Sequence, residues 1–277
     1  MKFTKMQGCG NDYVYVNCFE EKIENPAELA VRVSDRHFGV GSDGLILICP
    51  SEVADVQMVM FNADGSQSQM CGNGVRCVGK YAYDYGIVFK DVITVETLAG
   101  VKTLQLHVEN GRVAQVTVDM GAPILTPSEI PVVAEGESVI SAPVRVAGQD
   151  YEITCVSMGN PHAITFVEDT KEIAIESIGP EFEHHAMFPE RTNTEFIQVL
   201  DDTEINMRVW ERGSGETFAC GTGACASVYA CILNGKTKDE VTVHLLGGDL
   251  FIRYDRVSGH IFMTGPAVTV FDGELYV

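Results

Sequence analysis

Two short cysteine motifs, Cys71-Gly-Asn-Gly74 and Cys220-Gly-Thr-Gly223, stand where each half of the chain begins a helix-like stretch. Backbone N–H groups in the first turn of a helix lack intrahelical partners, and the helix dipole adds positive potential there. Such a terminus favours an anion and lowers the pKa of a thiol from about 8.5. The glycines allow a ligand to approach the backbone closely. Each motif therefore predicts a reactive thiol beside a pocket for a carboxylate-sized anion.

The two motifs lie 149 positions apart, and the same shift aligns other residues of the two halves without a gap. A shared register over separated motifs indicates an internal duplication, which agrees with the roughly two domains expected for 277 residues. The further matches are Gly10-Asn11 with Gly159-Asn160, Met58 with Met207, Phe61 with Trp210, and Gly86 with Gly235.

Each half carries the same series of predicted elements. A strand follows a Gly-Asn turn, two more strands follow, and a largely apolar helix then extends from the cysteine motif to a glycine that terminates it. A helix that is apolar on most faces is buried, so strands should surround it. We therefore predict an α+β fold of two pseudo-symmetric domains with a cleft between them, each a curled, mainly antiparallel, barrel-like sheet around a central helix. The predicted strands are 12–17, 45–49, 56–61, 102–108 and 113–119 in the first half, and 162–167, 195–200, 205–210, 250–256 and 260–264 in the second.

A duplicated thiol has a specific chemical use. One base returns a proton to the face from which it came, whereas two bases on opposite faces of a carbon can remove a proton from one side and deliver one to the other, which inverts the centre. The substrate would carry an acidic C–H next to a carboxylate, and the helix N-termini would stabilise the developing charge. In this scheme one of Cys71 and Cys220 is a thiolate and the other a thiol, and they exchange roles with the direction of reaction.

Several other polar residues lie at predicted strand ends or loops and suit a small, multiply charged ligand. Asn in turns is common for backbone reasons alone, so a structural role is equally open for each of them. Arg212 with Glu211 could bind a distal carboxylate and amine or form a surface ion pair, and His162 could tune a thiol or be structural. The candidates are Asn11, Asn62, Asn160, His162, Asn193, Glu211 and Arg212.

Composition excludes several classes of protein. The net charge of −20, with 19 basic against 39 acidic residues, disfavours nucleic-acid and membrane partners. No apolar run approaches the roughly 18 residues of a membrane span, and the start lacks a signal-peptide pattern, so we expect a cytoplasmic protein.

The Gly39-Val-Gly-Ser-Asp-Gly44 segment follows a helix-like stretch and precedes a strand, so it is interpreted as a turn and not as a dinucleotide site.

The nine cysteines form no C-x-x-C motif, and their odd number disfavours a disulfide framework. We assign two of them to chemistry and predict that the other seven are buried apolar core residues. Those seven are Cys9, Cys18, Cys49, Cys77, Cys155, Cys225 and Cys231.

The motifs closely resemble those of the diaminopimelate epimerase family, cofactor-independent amino-acid epimerases. The matching stretches occur in order along nearly the whole chain, and the two cysteine motifs are the most specific of them. They are residues 6–13 (MQGCGNDY), 36–44 (RHFGVGSDG), 61–77 (FNADGSQSQMCGNGVRC), 158–162 (MGNPH), 193–196 (NTEF) and 210–226 (WERGSGETFACGTGACA).

The resemblance implies interconversion of LL- and meso-2,6-diaminopimelate in lysine biosynthesis, with Cys71 and Cys220 as the acid/base pair and with His162 and Glu211 assisting the thiols. Backbone N–H groups at Gly72-Asn73 and Gly221-Thr222 would hold the reacting carboxylate. Some family members carry Gln at the position of Gly44, so no substrate contact is carried over to that residue. The residues that would bind the rest of the substrate are Asn11, Asn62, Asn160, Asn193 and Arg212.

The resemblance further implies a homodimer with neither metal nor cofactor, and a last strand that returns to the first domain. The predicted domains are therefore 1–121 plus 267–277, carrying Cys71, and 122–266, carrying Cys220, with prolines near the midpoint as the linker.

Two alternative functions stay open at this point. One is a proline or hydroxyproline racemase of the same fold, and the other is a redox protein in which Cys71 and Cys220 form a switching disulfide.

Overall fold

The computed structural model describes residues 1–276, so position 277, the end of the predicted last strand, lies outside the described residues. The chain divides into two compact units. The first comprises Met1–Asp119 together with the segment from Thr264 onward, and the second comprises Met120–Met263. No described helix is long and apolar enough to cross a membrane.

The first half of the chain contains eight strands and two helices. In order they are β1 (Lys2–Gly8), β2 (Asn11–Asn17), α1 (Pro26–Ser34), β3 (Gly44–Cys49), β4 (Val56–Asn62), β5 (Gln67–Ser68), α2 (Gly72–Asp84), β6 (Val92–Thr97), β7 (Gly100–Glu109) and β8 (Arg112–Gly121).

The rest of the described chain, up to residue 276, contains ten strands, two α-helices and two short 3₁₀ helices, Pro127–Glu129 and Thr170–Glu172. In order the other elements are β9 (Ala142–Val146), β10 (Gln149–Ser157), β11 (Pro161–Phe166), α3 (Ile175–Glu183), β12 (Asn193–Val199), β13 (Glu204–Glu211), β14 (Gly215–Glu216), α4 (Gly221–Leu233), β15 (Glu240–Leu245), β16 (Gly248–Asp255), β17 (His260–Pro266) and β18 (Val268–Glu274).

The two units repeat one strand order. In the first, the pairs β1–β2, β2–β3, β3–β4, β4–β6 and β6–β7 are antiparallel, parallel, antiparallel, parallel and antiparallel. The second unit has the same series of directions for β10–β11, β11–β12, β12–β13, β13–β15 and β15–β16. The final strand, β18, pairs antiparallel with β1. The predicted α+β fold with a duplicated, mainly antiparallel sheet is therefore confirmed.

The helices α2 and α4 are each thirteen residues long, and each packs against five strands of its own unit. Both end just before a glycine in the left-handed region, Gly86 at φ +74° and Gly235 at φ +64°, where residues with a Cβ are disfavoured. The predicted buried helices and their stop residues are confirmed. The first of them also buries two basic side chains, Arg76 and Lys80, which the expectation of an apolar helix did not include.

These buried basic groups are compensated by hydrogen bonds. Arg76 donates to the backbone oxygens of Gly72 and Pro266 at 3.2 Å and to Asn73 Oδ1 at 2.9 Å. Lys80 donates to the Val113 carbonyl at 2.6 Å and pairs with a carboxylate one helical turn further along α2. Burial of these charges is therefore tolerated because carbonyl and carboxylate oxygens replace water.

The Gly39-to-Gly44 segment lies between α1 and β3, and Gly41 adopts φ +81°. The helix precedes the glycines and the strand follows them, which is the reverse of a dinucleotide-binding motif. The prediction of a turn is confirmed.

The prediction that seven cysteines are buried is correct for five and wrong for Cys18 and Cys49. Those two are only half-buried, because Cys18 directly follows β2 and Cys49 is the last residue of β3, at the rim of the apolar cluster that α1 covers. The buried five are Cys9, Cys77, Cys155, Cys225 and Cys231.

Candidate active site

Cys71 is the N-cap residue of α2. Its extended backbone, at φ −130° and ψ 122°, turns the side chain back so that Sγ accepts the Gly74 N–H at 3.3 Å. The regular helical ladder begins one residue later, with Val75 N–H bonded to the Cys71 carbonyl at 2.8 Å. Gly72 and Asn73 occupy the turn before that ladder. The thiol also donates to Asn11 Oδ1 at 3.1 Å and is half-buried.

A chain of hydrogen bonds fixes Asn11 beside this thiol. Its amide donates to Asp43 Oδ2 at 2.8 Å, and the same oxygen accepts the Asp12 N–H at 3.0 Å. Arg36 bridges Asp12 and Asp43 at 3.1 Å each. Burial raises the pKa of Asp43, whereas Lys5 and Arg36 hold the pKa of Asp12 below its usual range against the opposing effect of burial. The predicted site residue Asn11 is therefore held by partners that the sequence did not suggest.

The candidate Asn62 lies in β4 opposite Gly44 of β3. Asn62 donates to Ser66 Oγ at 3.0 Å within its own loop. A Cβ at Gly44 would lie 2.1 Å from the Phe61 carbonyl oxygen, so the backbone there accommodates no side chain. The close packing of β3 against β4 therefore leaves no room for a Gln at position 44 in this chain.

Cys220 repeats this capping arrangement at α4. Sγ accepts the Gly223 N–H at 3.4 Å and lies 3.5 Å from Thr222 Oγ1, while Ala224 N–H bonds the Cys220 carbonyl at 2.9 Å. The thiol is buried, and burial is the largest cause that raises its pKa well above the usual range. The neighbouring carboxylates of Glu211 and Glu195 raise it further. The expectation that a helix terminus lowers the pKa is wrong for this thiol, because burial and two acidic neighbours outweigh the terminus.

His162 lies in β11 in the interior of the second unit. Its Nδ1 is 2.6 Å from Glu195 Oε1 on the adjacent parallel strand β12, and its Nε2 is 3.1 Å from Asn160 Oδ1. Both side chains of the His162–Glu195 pair are completely buried. Thus one strand residue, Glu195, and one turn residue, Asn160, hold the imidazole by its two nitrogens.

The second acidic neighbour of Cys220 is Glu211, the last residue of β13. Its Oε1 accepts the Thr217 hydroxyl at 2.5 Å, and its carboxylate raises the pKa of the neighbouring Cys220 thiol. Burial raises the pKa of this carboxyl. The predicted residues His162, Glu211 and Cys220 are therefore brought together in one cluster, in which His162 and Cys220 are buried and Glu211 is half-buried.

Asn193 and Arg212 form a separate contact. The side-chain oxygen of Asn193 accepts the Arg212 backbone N–H at 2.9 Å, and its amide donates to the Pro161 carbonyl at 3.0 Å. The Arg212 guanidinium donates to the Glu190 carbonyl at 3.0 Å. The structure therefore shows Asn193 orienting the backbone at Arg212.

Donor atoms of His162, Glu195 and Cys220 lie within 4.8 Å of one another, a spacing that invites comparison with a metal site. Two ligands of one zinc ion, each about 2.0–2.3 Å from it, are separated by roughly 3 Å or more in tetrahedral geometry. The 2.6 Å between His162 Nδ1 and Glu195 Oε1 is a hydrogen-bond distance. This arrangement therefore suits proton sharing better than coordination of an ion.

Glu195 is the site residue that the sequence interpretation missed. The shift of 149 positions pairs it with Ile46, and it pairs His162 with Tyr13. A carboxylate partner for this position therefore occurs only in the second copy. The signal that could have identified Glu195 is that the repeat aligns it with an apolar residue of the first copy. In the first copy, burial and the nearby Cys71 and Asp43 raise the pKa of Tyr13 well above its usual range.

The last glycine of each cysteine motif, Gly74 or Gly223, permits a matched test of this difference. A Cβ at Gly223 would lie 2.5 Å from Glu195 Oε1, whereas a Cβ at Gly74 would meet Ile46 Cδ1 at 2.7 Å. The terminal methyl of Ile46 can move, but the buried carboxylate is held by His162. We expect Gly223→Ala to lower kcat at least tenfold more than Gly74→Ala, measured by steady-state kinetics. Equal losses in the two variants would contradict a fixed Glu195.

The charge of Glu211 gives a second prediction. Because this carboxylate raises the pKa of Cys220, Glu211→Gln should lower that pKa and enlarge the thiolate fraction at a given pH. We expect the pH profile of Cys220 alkylation by iodoacetamide, followed by peptide mass spectrometry in a Cys71→Ser background, to move to lower pH. Glu240→Gln, at an exposed position of the same unit, is the control. A profile that moves to higher pH would overturn the assignment.

Solved structures share the fold over the whole chain. A probable proline racemase from Agrobacterium radiobacter K84 superposes with a TM-score of 0.72 at 15% identity, covering 100% of this chain and 93% of that one. A hydroxyproline epimerase from Agrobacterium vitis gives 0.70 at 13% identity, covering 99% and 90%. The class is thus the duplicated α+β fold that occurs in these proteins.

Sequence relatives identify the family within that class. The profile of diaminopimelate epimerases matches residues 3–126 and 154–270. The diaminopimelate epimerase of Acetivibrio thermocellus is 58% identical, covering 99% of this chain and 98% of its own. That of Desulfovibrio desulfuricans is 60% identical, covering 100% and 99%, and that of Methanococcus maripaludis C5 is 57% identical, covering 99% of both. This chain belongs to the diaminopimelate epimerase family.

Proposed function

We propose that this enzyme interconverts LL- and meso-2,6-diaminopimelate by two-base proton transfer at the α-carbon, in lysine biosynthesis, without a cofactor. The observation that carries the proposal is the repetition of one arrangement in both units: a cysteine thiol capping a buried helix in the same register. The choice of substrate is supported by relatives that are named for this activity and are 57–60% identical over nearly the full chain.

In the proposed reaction, a thiolate of Cys71 or Cys220 takes the α-proton and the other thiol delivers a proton to the opposite face. The electron pair released from the C–H bond spreads into the adjacent carboxylate. Backbone N–H groups of the first turns, at Gly72-Asn73 and Gly221-Thr222, stabilise that charge, which is greatest in the transition state. The high pKa of Cys220 favours its thiol form in the resting enzyme, so we assign it the proton-donating role first.

The remaining assignments follow the contacts within each unit. His162 and Glu211 act as positioning residues for Cys220, because both lie beside its thiol. We propose that Asn11, Asn62, Asn160, Asn193 and Arg212 bind the rest of the substrate. We further propose domains 1–121 plus 267–277 and 122–266, a cytoplasmic location and a homodimer, the last testable by sedimentation.

The test is isotope exchange in D₂O. Purified protein, with reductant and no added cofactor, is incubated with LL-diaminopimelate, and α-deuterium is followed by NMR. We expect deuterium in the meso product from the first turnovers. Absence of α-deuterium incorporation would refute the proposed function.

A proline or hydroxyproline racemase is the second candidate, because two solved structures of the same fold carry those names. Those structures are at most 15% identical, so their likeness concerns the fold alone. Free proline has one carboxylate and no distal amine for Arg212 and the asparagines to bind. We expect no racemisation of free proline or hydroxyproline in a polarimetric assay, and turnover of either without turnover of diaminopimelate would reverse the assignment.

A further inference from the structure

Two cysteines outside the proposed site are neighbours across a parallel strand pair. The register of β2 and β3 pairs Val16 with Leu47 and Asn17 with Ile48, and Cys18 and Cys49 are the next residues in line. The last ladder bond, from Cys18 N–H to the Ile48 carbonyl at 2.9 Å, keeps the chains aligned up to this point. Neighbouring strands lie about 4.7–4.9 Å apart. That spacing falls within the roughly 4.4–6.8 Å between Cα atoms that a disulfide spans.

The two side chains also lie on the same face. Val14 and Val16 on β2, and Leu45 and Leu47 on β3, face the apolar cluster beneath α1, and Cys18 and Cys49 pack against its rim. Side chains alternate along a strand, so each cysteine continues the inward row of its own strand. Both thiols are half-buried, which leaves them accessible to a small reagent.

The thiols are chemically unequal. A hydrogen bond from Cys49 lowers the pKa of the Cys18 thiol, and the same interaction raises that of Cys49. The thiolate is the form that attacks a disulfide, so Cys18 is the better nucleophile and Cys49 the natural resolving thiol. The fully buried thiols of Cys77, Cys155 and Cys231 contrast with this pair, because burial raises their pKa values to about 11, 12 and 12.

We propose that Cys18 and Cys49 form a dithiol site, separate from Cys71 and Cys220, that low-molecular-weight disulfides such as oxidised glutathione convert to an intramolecular disulfide. The Cys18 thiolate attacks one sulfur of the oxidant and expels a glutathione thiolate, which takes up a proton. Cys49, losing its proton to solvent, then attacks Sγ of Cys18 and expels the second glutathione. The two thiols are oxidised by two electrons in total, and one glutathione disulfide is reduced to two thiols.

The test is thiol mapping of the full chain. Reduced protein is exposed to oxidised glutathione under native conditions, free thiols are alkylated, and the products are digested with chymotrypsin. Trypsin is unsuitable because it leaves Cys9 with Cys18 and Cys71 with Cys49, whereas cleavage after Tyr15, Phe19, Leu47 and Phe61 separates them. We expect peptides 16–19 and 48–61 joined by a disulfide, formed at least tenfold faster than any modification of Cys77.

Single variants distinguish the two steps. Cys49→Ser removes the resolving thiol and should trap glutathione on Cys18 as a stable mixed disulfide. Cys18→Ser should slow glutathione attachment to Cys49 at least tenfold, because the better nucleophile is gone. Recovery of both cysteines as alkylated free thiols in the native protein, or accumulation of the mixed disulfide there, would overturn the proposal. Neither result depends on the epimerase assay, so failure here leaves the proposed function untouched.

Discussion

Replacing either capping cysteine by serine is expected to lower kcat for epimerisation about 10²- to 10⁴-fold. This is the rate enhancement that a general acid or base typically contributes. A hydroxyl is a far weaker base than a thiolate at neutral pH, so Cys71→Ser and Cys220→Ser each remove one of the two proton-transfer groups. The loss should appear in kcat in both directions of the reaction, because each group serves as base in one direction and acid in the other.

The same variants separate proton abstraction from inversion. With one thiol left, a proton can still be taken from and returned to a single face, so α-deuterium exchange without inversion should persist above the level of the double variant. Exchange measured by NMR and inversion measured by chiral chromatography should therefore diverge in each single variant. Full epimerisation in either one would refute the two-base scheme.

Folding should survive these replacements. Ser is among the best N-cap residues, and its Oγ can accept the N–H that Sγ accepts from Gly74 or Gly223. We expect unchanged far-UV circular dichroism in both variants. Cys18→Ser, at a half-buried position outside the proposed site, is the matched control and should retain full turnover.

The fold could be predicted from the sequence because the residues that repeat in the two halves are ones that determine turns, helix ends and strands. The glycines after each buried helix adopt positive φ, and the alternating strands around them keep one order in both copies. Local rules for turns, helix stops and strand periodicity therefore agree with the tertiary arrangement. The half-buried state of Cys18 and Cys49 escaped prediction because burial at a strand end depends on what packs beyond it.

The sequence also placed Cys220, His162 and Glu211 among the candidates, but it could not place Glu195 beside them. A Glu within an apolar strand gives no local sign of which face it occupies or what covers it. Only the parallel pairing of β11 with β12 brings its carboxylate to His162 Nδ1. The high pKa of Cys220 follows from the same packing and was likewise beyond a motif-based interpretation.

Removal of the Glu195 side-chain oxygens should destabilise the protein as well as slow it. Glu195→Leu leaves His162 Nδ1 without its partner in a completely buried position, and an unpaired buried polar group costs about 1–3 kcal/mol. Glu195→Gln keeps an amide oxygen where Oε1 accepts from the imidazole, so its cost should be clearly smaller. The loss in the free energy of unfolding of each variant is measured by urea denaturation, from the shift of the midpoint at an unchanged m-value.

The pair of variants also separates hydrogen bonding from charge. Both substitutions remove the negative charge that raises the pKa of Cys220, so both should lower that pKa and move the alkylation profile of Cys220 to lower pH. Only Leu also removes the acceptor that fixes the imidazole, so kcat should fall further in Glu195→Leu than in Glu195→Gln. Equal stability and equal kcat in the two variants would show that His162 does not depend on Glu195. A difference in both, with a common shift of the thiol profile, would assign Glu195 the role of positioning residue for His162.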